Sequence, residues 1–220
     1  MFRLRGRGPA RSRAAAFAFT MAGLAAAVAG CGTGQDHHKL HGFTRTPPPR
    51  VGDVGLPDVS PGHGGRRMAF RAAPGGLLLV YFGYTSCPDV CPTTLSDLGR
   101  ALKALPGAQR RMVSVGMVTV DPARDTRTVL NGYLGHFLPA WHALRTTSTA
   151  RLRGAERAFN AYSRLGPKDR TGNYAVVHTA EVYAVDEGGT VEAEWPFGTS
   201  PADLAADLRT LLRAEHAQPA

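Results

Sequence analysis

The sequence predicts an α/β fold: a three-layer sandwich with a mixed central sheet and helices on both faces. Three observations predict it. A continuous apolar run of strand length, "LLLVYF" at 77–82, suits a parallel strand covered on both sides, and a helical pattern follows it directly. A valine-rich run, "MVSVGMVTV" at 112–120, comes after that helix, and a right-handed crossover makes the two strands parallel. Farther on, "YAVVHTAEVYAV" at 174–185 and "TVEAEW" at 190–195 flank "DEGG", a hairpin signal that adds antiparallel strands.

The chain has 220 residues, 43% of them hydrophobic, which is enough for one ordinary domain plus appendages. Residues 1–30 have the layout of a secretory signal, an arginine-rich start followed by the apolar run at 14–30, shorter than the roughly 20 residues a spanning helix needs. The run ends in "VAGC", which resembles the lipobox of bacterial lipoproteins, and that resemblance makes Cys31 a lipid-bearing mature N-terminus. The twin-arginine signal is absent, so a general secretion route is expected. Cys87 and Cys91 are then the remaining thiols, facing an oxidising compartment.

The formal charge of +9 does not argue for a polyanion partner. Five of the arginines (Arg3, Arg5, Arg7, Arg11, Arg13) lie in the first 30 residues, and without them 21 basic residues face 17 acidic ones. No helix pattern carries a dense basic stripe with interleaved aromatics, so no nucleic acid partner is expected.

Residues 31–68, rich in Gly, Pro and His, read as a tether between anchor and domain, with "LPDVS" at 56–60 as an optional edge strand. The tether's His37, His38 and His41 read as solvated spacer residues and not as fixed ligands. The folded domain is expected at 69–214, with a short tail at 215–220. Within it, Leu95, Leu98, Leu102 and Leu105 share a helix face after the first strand, and Val129, Leu130, Tyr133, Leu134 and Phe137 mark a helix after the second. A third helix begins near Thr149 with Leu152, Ala155, Phe159 and Tyr162 inward. The last one opens on Ser200 as N-cap, Pro201 at the first helical position and Asp203 in the first turn, with Leu204, Leu208, Leu211 and Leu212 inward. Strand, helix, strand, two helices, hairpin and helix is the thioredoxin-like order, whose active turn lies at the carboxyl end of the first strand.

That turn holds "YFGYTSCPDVCPTTL" at 81–95. With Cys91 in the first helical turn, Cys87 sits at the loop or cap, and both sulfurs can face one small volume. Pro92 fits just inside the helix because its missing N–H would be unpaired there anyway. Exposed amides and the positive helix end favour thiolate, and two thiolates suit a soft metal ion or a reversible disulfide. A purely structural disulfide would close too short a loop to stabilise much. Dedicated dithiol oxidoreductases carry two residues between their cysteines; three leave a wider bite for a metal. His178 in "VVHTAEVY" is the candidate third ligand, because the segment entering that strand passes beside the cysteine turn. Two sulfurs and an imidazole can hold copper in both oxidation states. A structural zinc site wants a fourth ligand, and none stands out. Asp89 reads as a helix cap, His136 and His142 as surface residues, and Trp195 and Phe197 as packing.

The segments "YFGYTSCPDVCPTTL", "VTVDPARDT" and "VVHTAEVYAVDEGG" together resemble the Sco/SenC family of copper-binding, thioredoxin-like assembly proteins for cytochrome c oxidase, over about 77–212. The resemblance implies that Cys87, Cys91 and His178 are copper ligands and that Asp121 is an acidic residue beside the site that tunes it. It implies a lipid-anchored, extracytoplasmic chaperone at the cell membrane that delivers copper to the copper A center of oxidase subunit II. The alternative is a thiol-disulfide reductase that keeps the oxidase's copper-ligand cysteines reduced; against a general oxidoreductase, no proline stands at the start of the 175–185 strand, where thioredoxin-like oxidoreductases commonly carry a cis-Pro, and His178 falls in that neighbourhood instead. This sequence departs from the family at Val177 and Thr179, where Asp and Ser are common. A peroxidase reading of "CPTT" fails because Pro88 and Tyr84 occupy the places of that family's threonine and proline.

Overall fold

A computed structural model describes residues 39–217; the secretory-type segment, Cys31, His37, His38 and the last three residues lie outside the described residues. In chain order the elements are β1 (Gly55–Asp58), β2 (Arg66–Ala69), β3 (Leu77–Gly83), α1 (Val90–Lys103), α2 (Gly107–Arg110), β4 (Val113–Thr119) and α3 (Arg127–Gly135). They continue with β5 (His142–Leu144), α4 (Thr149–Ala158), β6 (Ser163–Leu165), β7 (Val176–His178), β8 (Val182–Val185), β9 (Val191–Trp195) and α5 (Pro201–Ala217). A seven-stranded mixed sheet has the order β2-β1-β5-β4-β3-β8-β9, and β6 and β7 form a separate two-stranded sheet.

The centre is what the apolar runs predict. Every residue of β3 is buried, and β3 pairs in parallel with β4 from Leu77↔Val113 to Gly83↔Thr119. On its other edge β3 pairs antiparallel with β8, Tyr81 opposite Val182. Helix α1 packs against α5, while α3 lies on β5 and α4 on β1. At the start of α5 the Ser200 hydroxyl accepts from the Asp203 amide and donates to its carboxylate, a reciprocal cap that fixes where the helix begins. Leu204, Leu208, Leu211 and Leu212 are buried, as their spacing predicts. The "DEGG" hairpin joins β8 to β9. Its Gly189 has φ +79°, and an added Cβ there would stand 2.3 Å from the Cα of Gly52, so only glycine fits.

Four expectations are corrected. The Gly/Pro/His-rich stretch read as a tether up to 68 belongs to the folded unit from residue 41 onward. Two buried carboxylates explain why it docks. Arg45 grips Glu194 of β9 with two hydrogen bonds of 2.6 and 3.0 Å. Asp207 of α5 accepts from the backbone amides of His41 and Gly42, lies 2.9 Å from the His41 ring nitrogen, and accepts from the Trp195 indole. Buried carboxylates need such partners, and the arm supplies them. Behind the arm, Val51 and Leu56 are wholly buried, and β1 and β2 extend the sheet.

Second, 174–185 is not one strand: residues 179–181 interrupt it, so β7 pairs with β6 (His178 opposite Ser163) and β8 with β9. Third, α4 ends at Ala158, which leaves Tyr162 exposed. Fourth, α3 and α1 are each shorter than their patterns, so Phe137 and Leu105 follow them, and Val129 faces solvent.

Candidate metal site

The end of β3 delivers Tyr84 into a loop that carries Cys87, and α1 starts at Val90, placing Cys91 in its first turn. Both cysteines are free and buried. The Cys87 sulfur accepts the Cys91 backbone N–H at 3.3 Å, so it serves as the cap of α1. Asp89 occupies the N-cap position but its side chain makes no capping hydrogen bond, which corrects the role given to it.

His178 at the end of β7 completes the group. Its Nε2 lies 3.5 Å from the Cys91 sulfur, and the donor atoms of Cys87, Cys91 and His178 all fall within 4.8 Å of one another. The imidazole's Nδ1 is 2.9 Å from the Thr179 carbonyl oxygen, which can only accept, so Nδ1 carries a proton and Nε2 is the ring nitrogen that faces the sulfurs, with its lone pair available in the neutral ring. In turn Thr179 is held by two contacts with Tyr162, its amide donating to the Tyr162 carbonyl and its hydroxyl accepting the Tyr162 amide, both at 2.9 Å. The β6–β7 pairing thus orients the ring by a backbone carbonyl, a role for which a carboxylate at Val177 is not required. Tyr84 and Tyr81 bracket the imidazole edge-on, with centroids at 5.6 and 6.2 Å.

The two sulfurs differ. Cys91 is 0% exposed and Cys87 8%, with Cys87 lining a shallow cavity shared with Tyr84, Val176 and His178. Burial pushes the Cys91 thiol up to about 12, against the nearby Tyr81 hydroxyl, which favours the thiolate. That corrects the expectation that the helix start alone makes it a thiolate: desolvation outweighs the helix field where no ion compensates the charge.

Asp121 is wholly buried but does not join the cluster. One carboxylate oxygen accepts the Tyr174 hydroxyl at 2.7 Å and the other pairs with Arg124, whose guanidinium lies over the Tyr174 and Tyr84 rings. Its partner Arg124 lies over the Tyr84 ring, which in turn meets the His178 imidazole edge-on. The residue that the sequence reading missed is Asp125, four positions on. Its carboxylate accepts the Thr85 amide, the Thr85 hydroxyl and the Thr119 hydroxyl, pinning the cysteine loop to the end of β4. Burial still holds Asp125 above its ordinary value despite these donors. The "D-P-x-R-D-T" segment contained that signal as a second carboxylate beside the loop.

Elsewhere, His136 is exposed as expected, Trp195 is buried and Phe197 is exposed. His142 is not a free surface residue: its Nδ1 lies 2.7 Å from the Asp58 carboxylate. Among the described residues no helix is long and apolar enough to cross a membrane.

The SCO1/SenC family model matches residues 61–213 of this chain. An SCO2-like protein of Rickettsia felis is 34% identical over 136 residues, covering 61% of this chain and 65% of that protein. The mitochondrial SCO2 homolog of Danio rerio is 36% identical over 128 residues, 58% of this chain and 46% of its own length. The chain thus spans about half to just under two thirds of these relatives. Among solved structures, apo Sco1 of Thermus thermophilus matches with a TM-score of 0.66 and 30% identity, over 78% of this chain and 96% of that one. The copper-bound ScoI of Bradyrhizobium japonicum matches with a TM-score of 0.61 and 30% identity, over 72% and 96%.

Proposed function

The chain belongs to the SCO1/SenC family, and from that premise we propose that it is a membrane-anchored, extracytoplasmic copper chaperone that delivers copper to the copper A center of cytochrome c oxidase subunit II. Cys87, Cys91 and His178 are the ligands in this reading. The observation that carries it is the convergence of two sulfurs and an imidazole nitrogen within 4.8 Å. Two thiolates select Cu(I), and the imidazole adds affinity for Cu(II). The relative with copper bound supports copper as the cargo.

Unequal burial gives the exchange an order. Cys87, at the cavity wall, is the ligand that an incoming target thiolate displaces first; Cys91 and His178 follow, so the ion passes between ligand sets without being free. Loading requires that Cys91 lose its proton to solvent, so copper uptake releases protons. Lipidation at Cys31 supplies the membrane attachment.

The test is copper stoichiometry of the reduced protein. One copper per chain is expected, lost in Cys87→Ser or Cys91→Ser and weakened in His178→Ala. Full retention in His178→Ala removes the third ligand. With Cu(II), a thiolate-to-copper optical band and its electron paramagnetic resonance spectrum identify the donors. A Cys31→Ser chain that still fractionates with membranes removes the lipid anchor.

The second reading, a thiol-disulfide reductase, is favoured by the free state of the two neighbouring cysteines. Cys87 would attack a target disulfide and Cys91 would then displace it. The target gains two electrons and two protons, and Cys87–Cys91 becomes a disulfide. Turnover on the oxidised target without copper tests it.

A further inference from the structure

A second group of ligand-type side chains lies outside the cysteine site. Asp58 closes β1, His63 sits in the turn that follows and His142 opens β5; their donor atoms also fall within 4.8 Å of one another. Asp58 Oδ2 lies 2.7 Å from His142 Nδ1 and 3.1 Å from His63 Nδ1. The imidazole planes are nearly perpendicular, with centroids 5.3 Å apart, so both rings turn an edge toward the same oxygen.

Three features make this a formed site. Asp58 is 1% exposed, so its charge must be matched locally. Its other oxygen, Oδ1, takes the Ser60 amide at 2.9 Å and the Ser60 hydroxyl at 2.5 Å, which fixes the carboxylate plane and leaves Oδ2 to the histidines. The turn carrying His63 is set by its backbone: Gly62, Gly64 and Gly65 all have positive φ, and the Gly65 amide returns to the Asp58 carbonyl at 2.8 Å. One of the three positions is open, since the His63 side chain is 44% exposed beside a cavity that also borders His142.

We propose that Asp58, His63 and His142 bind a divalent transition cation of borderline hardness, tying the turn after β1 to the edge of β5. Two imidazoles and one carboxylate, with no sulfur, suit Zn²⁺, Ni²⁺ or Cu²⁺ and disfavour Cu(I). Ligand atoms about 2.0–2.2 Å from a tetrahedral zinc stand about 3.3 Å from each other, so the present spacings need to open by about half an ångström. A water completes the shell from the exposed side. The Ser60 donors hold the carboxylate as partners behind a metal ligand do. β5 is two strands from β3 in the sheet order, roughly 10 Å across, so the ion is not shared with the cysteines.

The probe is Zn²⁺ titrated by calorimetry into the full chain carrying Cys87→Ala and Cys91→Ala, which silences the sulfur site whatever its function. One Zn²⁺ per chain is expected, with a melting temperature that rises with Zn²⁺. Adding His63→Ala is expected to weaken binding at least tenfold and to abolish the thermal shift. His63 is half-exposed on a turn, so circular dichroism should show that variant folded; His142→Ala is the second arm. Absence of Zn²⁺ binding, or binding unchanged by both histidine substitutions and so held by other residues such as His37, His38 and His41, overturns the proposal.

Discussion

The two donor clusters are built differently. Cys87 and Cys91 come from one loop and helix start, and their partner His178 hangs on the small β6–β7 sheet outside the main one. Asp58 and His142 instead stand on adjacent strands of the seven-stranded sheet, with Asp58 paired to Leu144, and only His63 rides on a turn. The first cluster offers soft sulfur beside a separate sheet of two three-residue strands; the second offers oxygen and nitrogen on the main sheet itself. A site that must give up its ion gains from a detachable ligand, whereas a site that ties two segments together gains from being framed by the core.

The sharpest way to break that distinction is to exchange the metals. Cys91→Ala should lower Cu(I) affinity by at least about a hundredfold, because one of two thiolates is gone, and should leave Zn²⁺ binding at Asp58 intact. Competition against a Cu(I) chelator, alongside zinc calorimetry, reads both. Loss of both metals together would mean that the clusters are one coupled system.

Next in size is stability. Asp58→Ala removes a buried acceptor with four donors around it and should cost about 2–3 kcal/mol in urea melts. His178→Ala, at a half-buried position on a three-residue strand, should cost under about 1 kcal/mol. Equal losses would erase the framed-versus-hung contrast.

The clusters should also fail at opposite ends of the pH scale. Burial raises the Asp58 pKa, but the Ser60 hydroxyl and amide and His142 outweigh it and hold it below its ordinary value. Its stabilisation is therefore complete above the unfolded-state value, near 4, and is lost as pH falls through the lower folded value. For Cys91 the folded value is raised, from 9.0 to about 12, so its contribution is complete below the unfolded value and disappears as pH climbs between the two. Urea midpoints across pH should lose their acid slope in Asp58→Asn and their alkaline slope in Cys91→Ala.

The smallest effect belongs to Tyr81→Phe. The Tyr81 hydroxyl is enclosed beside Cys91, where it favours the thiolate. Removing it should change stability by less than about 1 kcal/mol while raising the Cys91 thiol pKa, which thiol alkylation against pH measures.

The main sheet was legible because β3 and β4 are long apolar runs with one helix between them, and the cysteine pair because its members are local. His178 was found by its place in the chain, but its true strand was not, since "VVHTAEVYAV" reads as one continuous run and nothing local marks the break at 179–181. The Asp58 cluster left no trace in the sequence: its members are separated by up to 84 residues, and each alone looks like a surface polar group. Asp125 was overshadowed by Asp121 because both stand in one short segment, and only the loop's position decides which of them supports Thr85. The arm at 41–51 was misread because proline and glycine signal irregular backbone, and irregular backbone can still be fastened down by side chains.

That arm has a practical consequence for anyone shortening the protein. A fragment starting at residue 69, where helix and strand periodicity begins, would strip Arg45 from Glu194, strip His41 and Gly42 from Asp207, and discard β1 with its Asp58. Two enclosed acids would be left with vacant bonding capacity along β9 and α5, and the sheet would lose an edge. A self-sufficient piece has to include His41, so the half that carries Cys87, Cys91 and His178 cannot be trimmed free of its featureless-looking leader.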